Sequence, residues 1–356
     1  MTKQKTLKIV QVGIGAWGYS WIKVIQESSE WELAGIVDLN SALLEKACAE
    51  YGVDPNTTFT SLSEAIEKLD ADAVLVTTPP EYHAPVVNEA LEKGLNCIVE
   101  KPLADTVEAA KSMVETAERT GKKLMISQNY RFKRAPRTVK EVLKSGVVGE
   151  VGNVFINFHK APVFEGYRSE MDEPLLTDMA IHHFDQIRSI LGVEPVSVTA
   201  TSWNPKWSWF KGNAVTQVRF DMSNGSKIIY NGNWVSTGST TTWDGDWNIQ
   251  GDGGEVYWSN NKVVVRTNDL YKTVFMKGAV EVNGELHYDL VNLPSEERLG
   301  SLYEFASAIK EDRQPETSGA DNMNSIAMVL GALLSVKTGR TVTIDEVLGK
   351  PALTTV

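Results

Sequence analysis

Residues 7–18 read LKIVQVGIGAWG, and their reading decides the fold. Leu7 to Val12 is a short β-rich run. Gly13, Gly15 and Gly18 follow with GxGxxG spacing, and a helical stretch runs on from about Ala16 to Glu27. A strand, a glycine turn and a helix in that order make the phosphate-binding start of a dinucleotide fold. The first glycine permits the tight turn, the second lets a diphosphate approach the backbone, and the third lets the helix pack close to the strand. The free N–H groups and positive helix end, at Ala16 and Trp17, then hold the phosphates. Asp38 lies 20 residues past Gly18, at the end of a second strand, Glu32 to Val37. A carboxylate there accepts hydrogen bonds from ribose hydroxyls. Its neighbours are Leu39 and Asn40 rather than an arginine, so a 2′-phosphate meets like charge, and NAD is expected over NADP.

Outward from this turn, strand and helix patterns keep alternating. Ser41 to Tyr51 reads as a helix with Ser41 as N-cap and Gly52 past its end. Strands are expected at Ala73–Thr77, Asn96–Glu100 and Lys123–Ser127, and helices at Ala84–Lys93 and Thr106–Thr120. The β-α-β-α order predicts an α/β fold with a doubly wound parallel sheet over residues 1–127. Beyond it, after a helix near Arg137–Ser145, seven strands crowd together between Val151 and Thr267. Asn224-Gly225 between two alternating runs is a hairpin signal. Residues 128–356 are therefore expected to form an α+β domain with a large, mostly antiparallel sheet. Helices are expected near Leu176–Leu191, Gly300–Lys310 and Ala320–Thr338.

Composition narrows the function classes. The 356 residues are 42% apolar and 23% charged, as in ordinary globular chains, and the length suits roughly two domains. The formal net charge is −11, a field that repels nucleic acid and anionic lipid. Cys48 and Cys97 stand alone, with no CxxC, which excludes a disulfide framework and a cysteine zinc site and fits a reducing cytosol. Lys3, Lys5 and Lys8 precede an apolar run, but glycines 13, 15 and 18 suit a turn rather than a signal sequence, and no apolar stretch of 18 residues follows. A cytoplasmic location is expected, with no membrane and no metal; the histidines form no HExxH.

Further motifs follow in order: Thr77-Thr78-Pro79-Pro80-Glu81-Tyr82-His83, then Glu100-Lys101-Pro102, Tyr130-Arg131-Phe132, and Asp178-x-x-x-His182. Behind GxGxxG, and with Ser335–Ile344 (SVKTGRTVTI) near the end, they resemble the Gfo/Idh/MocA oxidoreductase family over nearly the whole chain. The resemblance implies an N-terminal Rossmann domain, a C-terminal domain with an open-faced sheet, a tightly bound nicotinamide cofactor, and a sugar, cyclitol or related polyol substrate. It also implies a homo-oligomer that buries the open sheet. Matched residue by residue, Lys101 corresponds to the family's catalytic-site lysine, and Asp178 and His182 to its acidic and histidine partners. Thr78, Pro79, His83, Glu100 and Lys101 join the glycine turn and Asp38 as candidate cofactor contacts.

The chemistry has its own logic. Oxidising a carbinol carbon requires the protein to take the hydroxyl proton and stabilise the developing oxyanion while the cofactor takes the hydride. Histidine suits proton transfer near neutral pH. His182 is assigned acid/base work and Lys101 the oxyanion donor and proton relay. Asp178, four residues before His182 and so on the same face of a helix, orients the imidazole or contacts substrate. Arg131 is a candidate substrate or cofactor ligand, or a pin between domains. Tyr167 and Arg168, in a loop before Asp178, are candidate substrate contacts. Asp185 reads as a solvated helix residue, and His83, His159 and His287 as structural. The Trp203–Phe210 cluster reads as sheet-face or subunit packing rather than a sugar platform. Two other functions fit the same motifs: a glycosidase that uses held NAD for transient oxidation, and a non-catalytic cofactor sensor.

Overall fold

The computed structural model describes residues 5–267 and 278–350. The chain folds into two compact units. The first comprises Met1–Phe132 and Pro294–Met323, the second Lys133–Leu293 and Asn324–Val356. The single change of domain expected after residue 127 thus falls at 132, and one late segment belongs with the first unit. Among the described residues no helix is long and apolar enough to cross a membrane.

In the first unit six strands form one parallel sheet: β1 (Leu7–Val12), β2 (Trp31–Val37), β3 (Thr58–Phe59), β4 (Ala73–Val76), β5 (Asn96–Glu100) and β6 (Leu124–Ser127). Their order is β3-β2-β1-β4-β5-β6. It reverses between β1 and β4, which makes the carboxyl ends of those two strands the place where ligands of doubly wound sheets bind. Alternate residues feed two cores. Val10, Val12, Val74, Val76 and Val99 face one with Val87 and Met113, while Ile9, Leu75 and Ile98 face the other with Trp21 and Ile25. The helix Ser41–Tyr51 is capped by Asn40, whose side chain accepts from Ala42 N, and not by Ser41 as expected. Gly52 and Gly121 end their helices at φ +67°, the left-handed turn glycine adopts without strain.

The returning segment completes this unit. Leu302, Phe305 and Ala306 of helix Glu297–Lys310 enter the same core as Trp31. Trp31 Nε1 donates to Leu302 O at 2.8 Å, and the Trp31 and Phe305 rings stack with centroids 5.4 Å apart. Thr317 O accepts from Ile126 N at 2.8 Å.

In the second unit ten strands form the mostly antiparallel sheet: β7 (Val151–His159), β8 (Pro195–Trp203), β9 (Val215–Met222), β10 (Lys227–Asn233), β11 (Asp246–Gly251), β12 (Gly254–Ser259), β13 (Lys262–Thr267), β14 (Ala279–Val282), β15 (Glu285–Tyr288) and β16 (Val342–Thr343). The order is β14-β15-β13-β12-β11-β7-β10-β9-β8-β16, and β7 with β10 is a parallel pair. One face is apolar: Val154, Ile156, Phe158, Val218, Phe220 and Tyr230 are buried. Phe184 of helix Ala180–Leu191 packs edge-on against Phe220 and Tyr230. The other face is open. Pairing aligns Arg219, Ile229, Phe155, Asn248 and Tyr257 in one row across it. In a second row Gln217 Nε2 donates to Asn231 Oδ1 at 3.1 Å, and Asn231 Nδ2 to Asn157 Oδ1 at 3.0 Å.

Candidate active site

The glycine turn is built as its sequence requires. Gly13 takes φ +86°, and a Cβ there would come within 2.8 Å of Thr78 N. A Cβ on Gly18 would collide with the Gly13 carbonyl and lie 2.6 Å from Thr77 Oγ1. Gly15 differs: a Cβ there would meet nothing within 4 Å. Gly15 also caps the helix Ala16–Gln26 with no side chain bonded to that end, and the first N–H groups of a helix have no acceptor within it. A backbone cradle with open space and unclaimed donors fits a diphosphate. Nearby, Thr78 Oγ1 is a buried oxygen without a hydrogen-bond partner.

Gln11 supports this turn, and the reading of the strand overlooked it. It is fully buried in β1. Its Nε2 donates to Gly18 O at 2.7 Å, Gly13 O at 3.3 Å and Thr77 Oγ1 at 3.2 Å. A lone amide in an otherwise apolar strand directly before GxGxxG is the signal that could have found it.

Asp38 follows β2, half-buried. Oδ2 accepts from Ile14 N at 2.8 Å and Oδ1 from Asn40 N at 2.9 Å. Each oxygen keeps capacity for one further donor, as a ribose diol needs. Asp38→Ala is expected to weaken NAD binding by about 10–100-fold, the range for hydrogen bonds to a charged group, and to bring the NAD/NADP preference toward unity. Titration with both nucleotides checks this; an unchanged ratio removes Asp38 from the ribose site.

The next loops lie at the carboxyl ends of β4 and β5. Thr78 packs on Gly13, and Pro79 is exposed. His83 is buried, with Nε2 2.9 Å from Thr78 O and Nδ1 3.1 and 3.2 Å from Pro102 O and Leu103 O. Burial holds its pKa below the ordinary range, although the three carbonyls pull the other way. The ring ties the Thr78 loop to the Pro102 loop instead of facing out as a cofactor contact. Glu100 likewise departs from expectation. Its carboxyl is buried and turned inward, accepting from Trp21 Nε1 at 2.9 Å and from Lys101 N at 3.1 Å. Burial pushes its pKa up, against the opposing pull of Lys101 and the two indoles of Trp17 and Trp21. It acts as a support beneath Lys101, which is half-buried at the start of the loop after β5.

Arg131 also departs from expectation. Its guanidinium is buried, 2.9 Å from Asp321 Oδ2, and donates to Glu316 O at 3.3 Å. All three residues belong to the first unit. It ties the returning segment to the turn Asn129–Phe132 that follows β6, so the pin it makes lies within the first unit rather than between domains.

The second unit holds Asp178, His182, Tyr167 and Arg168. Asp178 lies in a π-helical turn, Leu175–Met179, that leads into helix Ala180–Leu191. The expected α-helical i,i+4 relation between Asp178 and His182 is therefore widened at its start. Such turns arise where one extra residue is accommodated, often at functional sites. Asp178 Oδ2 accepts from Arg168 Nε at 2.8 Å, and Arg168 lies over the rings of Tyr167 (4.9 Å) and Phe164 (5.4 Å). Burial works against the Arg168 charge, yet Asp178 beside it raises its pKa. Arg168 and Asp178 are thus brought together, a pairing the sequence did not announce. Tyr167 is exposed. His182 is 7% exposed.

His183, the rival of His182, is core. Its Nδ1 lies 3.0 Å from Tyr230 Oη and its Nε2 2.9 Å from Trp243 O, and burial lowers its pKa to about 4. Asp185 corrects another expectation. It is 1% exposed rather than solvated, and Ser325 Oγ donates to it at 2.7 Å. Trp207 and Trp209 donate their indole N–H groups to Val235 O and Pro162 O.

Residues 7–128 match the family described as an oxidoreductase family with an NAD-binding Rossmann fold, and residues 137–257 match the GFO/IDH/MocA C-terminal domain. The chain is 26% identical over 347 residues to inositol 2-dehydrogenase of Rhizobium meliloti, covering 95% of this chain and 99% of that protein. It is 27% identical over 346 residues to 1,5-anhydro-D-fructose reductase of Ensifer adhaerens, covering 92% and 98%. In fold it is similar to a crystal structure of an oxidoreductase from Agrobacterium radiobacter in complex with NAD+, L-tartaric acid and magnesium. The TM-score is 0.84, at 23% identity, with 96% of this chain and 99% of that one covered.

Proposed function

The chain belongs to the Gfo/Idh/MocA oxidoreductase family, and from that premise we propose that it is an NAD-dependent dehydrogenase of a secondary alcohol in a sugar, cyclitol or related polyol, with Lys101, Asp178 and His182 as its working groups. The observation that carries the reading is the cradle of the first unit: open space over Gly15, with Asp38 pinned beside it through Ile14 N.

When bound, the nicotinamide supplies the acceptor for the hydride. The chain's own residues do the rest. His182 takes the hydroxyl proton. The Lys101 ammonium donates to the substrate oxygen as it gains charge, and relays the proton. Asp178 orients the imidazole or holds the substrate, and is itself held by Arg168. The peptide N–H groups at Ala16 and Trp17 hold the diphosphate.

The test is a panel of polyols, aldoses and inositols with NAD and NADP, followed at the absorbance of reduced nicotinamide. Accumulating NADH with a free sugar or cyclitol is the expected result. Cleavage of a glycoside without net NADH would replace the dehydrogenase reading with a glycosidase, and binding without turnover would replace it with a sensor.

The reading extends to a cytoplasmic homo-oligomer joined through the open sheet face, where Phe155, Tyr257 and Trp203 remain partly exposed. Sedimentation at a multiple of 39.3 kDa is expected; a monomer at micromolar concentration overturns that part alone.

A further inference from the structure

We propose that Arg298 is a further cofactor-binding residue, which sets a cation against the diphosphate of the dinucleotide and is aimed there by Trp17. It rests on the dinucleotide reading above and adds a residue from the returning segment, far in sequence from the glycine turn.

Arg298 is the second residue of the helix Glu297–Lys310. Its Nη1 donates to Ser20 Oγ at 2.7 Å, and Ser20 Oγ donates to Trp17 O at 2.8 Å. Its Cζ lies 5.0 Å from the centroid of the Trp17 ring and 5.3 Å from that of Trp21. The guanidinium therefore stands beside the first turn of the phosphate-binding helix, held flat by two indoles.

Three observations point past a scaffold role. The first is charge. Arg131, Arg188 and Arg313 each meet a carboxylate, whereas among the described residues no carboxylate lies within ion-pair distance of Arg298. A chain of net charge −11 leaves this half-buried cation without an acid next to its anion-binding turn. The second is backbone. Glu297, directly before it, takes φ +53°, a left-handed conformation that costs a non-glycine residue and persists only where the surroundings impose it. The third is Trp17, a large ring left 50% exposed in that first turn. Stacking fixes the plane of a guanidinium while leaving its edge donors available, and a fixed fork suits phosphate oxygens.

The test titrates the full-length chain with NAD, with ADP-ribose and with adenosine, by calorimetry and by intrinsic tryptophan fluorescence. Arg298→Gln is expected to weaken NAD and ADP-ribose by about tenfold or more, as loss of a charge-assisted contact does, and to leave adenosine unchanged. Arg298→Lys, which keeps the charge without the fork, is expected to fall between. The affinity of the unaltered chain for NAD is expected to drop more steeply with salt than that of Arg298→Gln. Unchanged NAD and ADP-ribose affinity in Arg298→Gln overturns the proposal. So does an equal loss for adenosine, which marks a structural effect. A failure of the unaltered chain to bind NAD at all overturns the dinucleotide reading itself, and this proposal with it.

Discussion

Replacing Lys101 with Met, or His182 with Gln, lowers turnover by about a hundred- to ten-thousand-fold, the usual contribution of a positioned acid, base or oxyanion donor, while NAD affinity stays near that of the unaltered chain. The split follows from what each side chain is asked to do. The cradle proposed for the dinucleotide is made of backbone around Gly13 and Gly15 and of the Asp38 carboxylate. The proposal gives Lys101 and His182 their main work at the substrate oxygen rather than at the diphosphate or the ribose. In the proposed mechanism both act while the substrate oxygen loses its proton and gains charge. Measured kcat beside the NAD dissociation constant checks the division, and near-native turnover in either variant breaks the assignment. Met keeps the apolar stem of Lys101 and Gln keeps a polar group at 182, so lost packing does not confuse the result.

Gly18→Ala produces the other large effect, on the fold and the cofactor together. The added methyl meets the Gly13 carbonyl and Thr77 Oγ1, and neither wall can give way. Gly13 O is backbone, and the Thr77 hydroxyl is already bonded to Val12 O and to the amide of Gln11. Overpacking of this kind costs about 1–3 kcal/mol, so a lower melting temperature and weaker NAD binding are both expected. Gly15→Ala is the contrast. Its methyl meets nothing in the protein, so the melting temperature without cofactor holds while NAD binding falls. Equal loss of stability in both variants would show that the space over Gly15 is not a ligand's space.

The fold was legible because its main signals are local. Glycine spacing, the apolar runs of β1, β4 and β5, and the Asn224-Gly225 turn each act over a few residues. The short β3 and the helix Leu62–Lys68 escaped because their runs are too brief to show a period. The paired strands β14 and β15 escaped because each is only four residues long, too brief for an alternation to stand out. The glycine turn and the place of Asp38 beside it were legible for the same local reason. What could not be read were roles fixed by distant partners. Asp185 looks solvated until Ser325, 140 positions on, is brought to it. Arg131 looks available until Asp321 closes on it. Glu100 sits in a motif with Lys101 yet points inward, because Trp21 supplies a buried donor. The π-turn before His182 carries no sequence mark, since its residues would suit an α-helix equally well.

The return of Pro294–Met323 to the first unit has a consequence for synthesis. A chain emerges from the ribosome amino end first, and its domains generally fold as they appear. Here the Rossmann sheet is made early but stays uncovered on the Trp31 side until Leu302 and Phe305 have been translated. The nascent chain must therefore carry an exposed apolar surface past nine of the ten strands of the second unit's sheet, and a gene fragment that stops at Phe132 encodes a domain without its last wall.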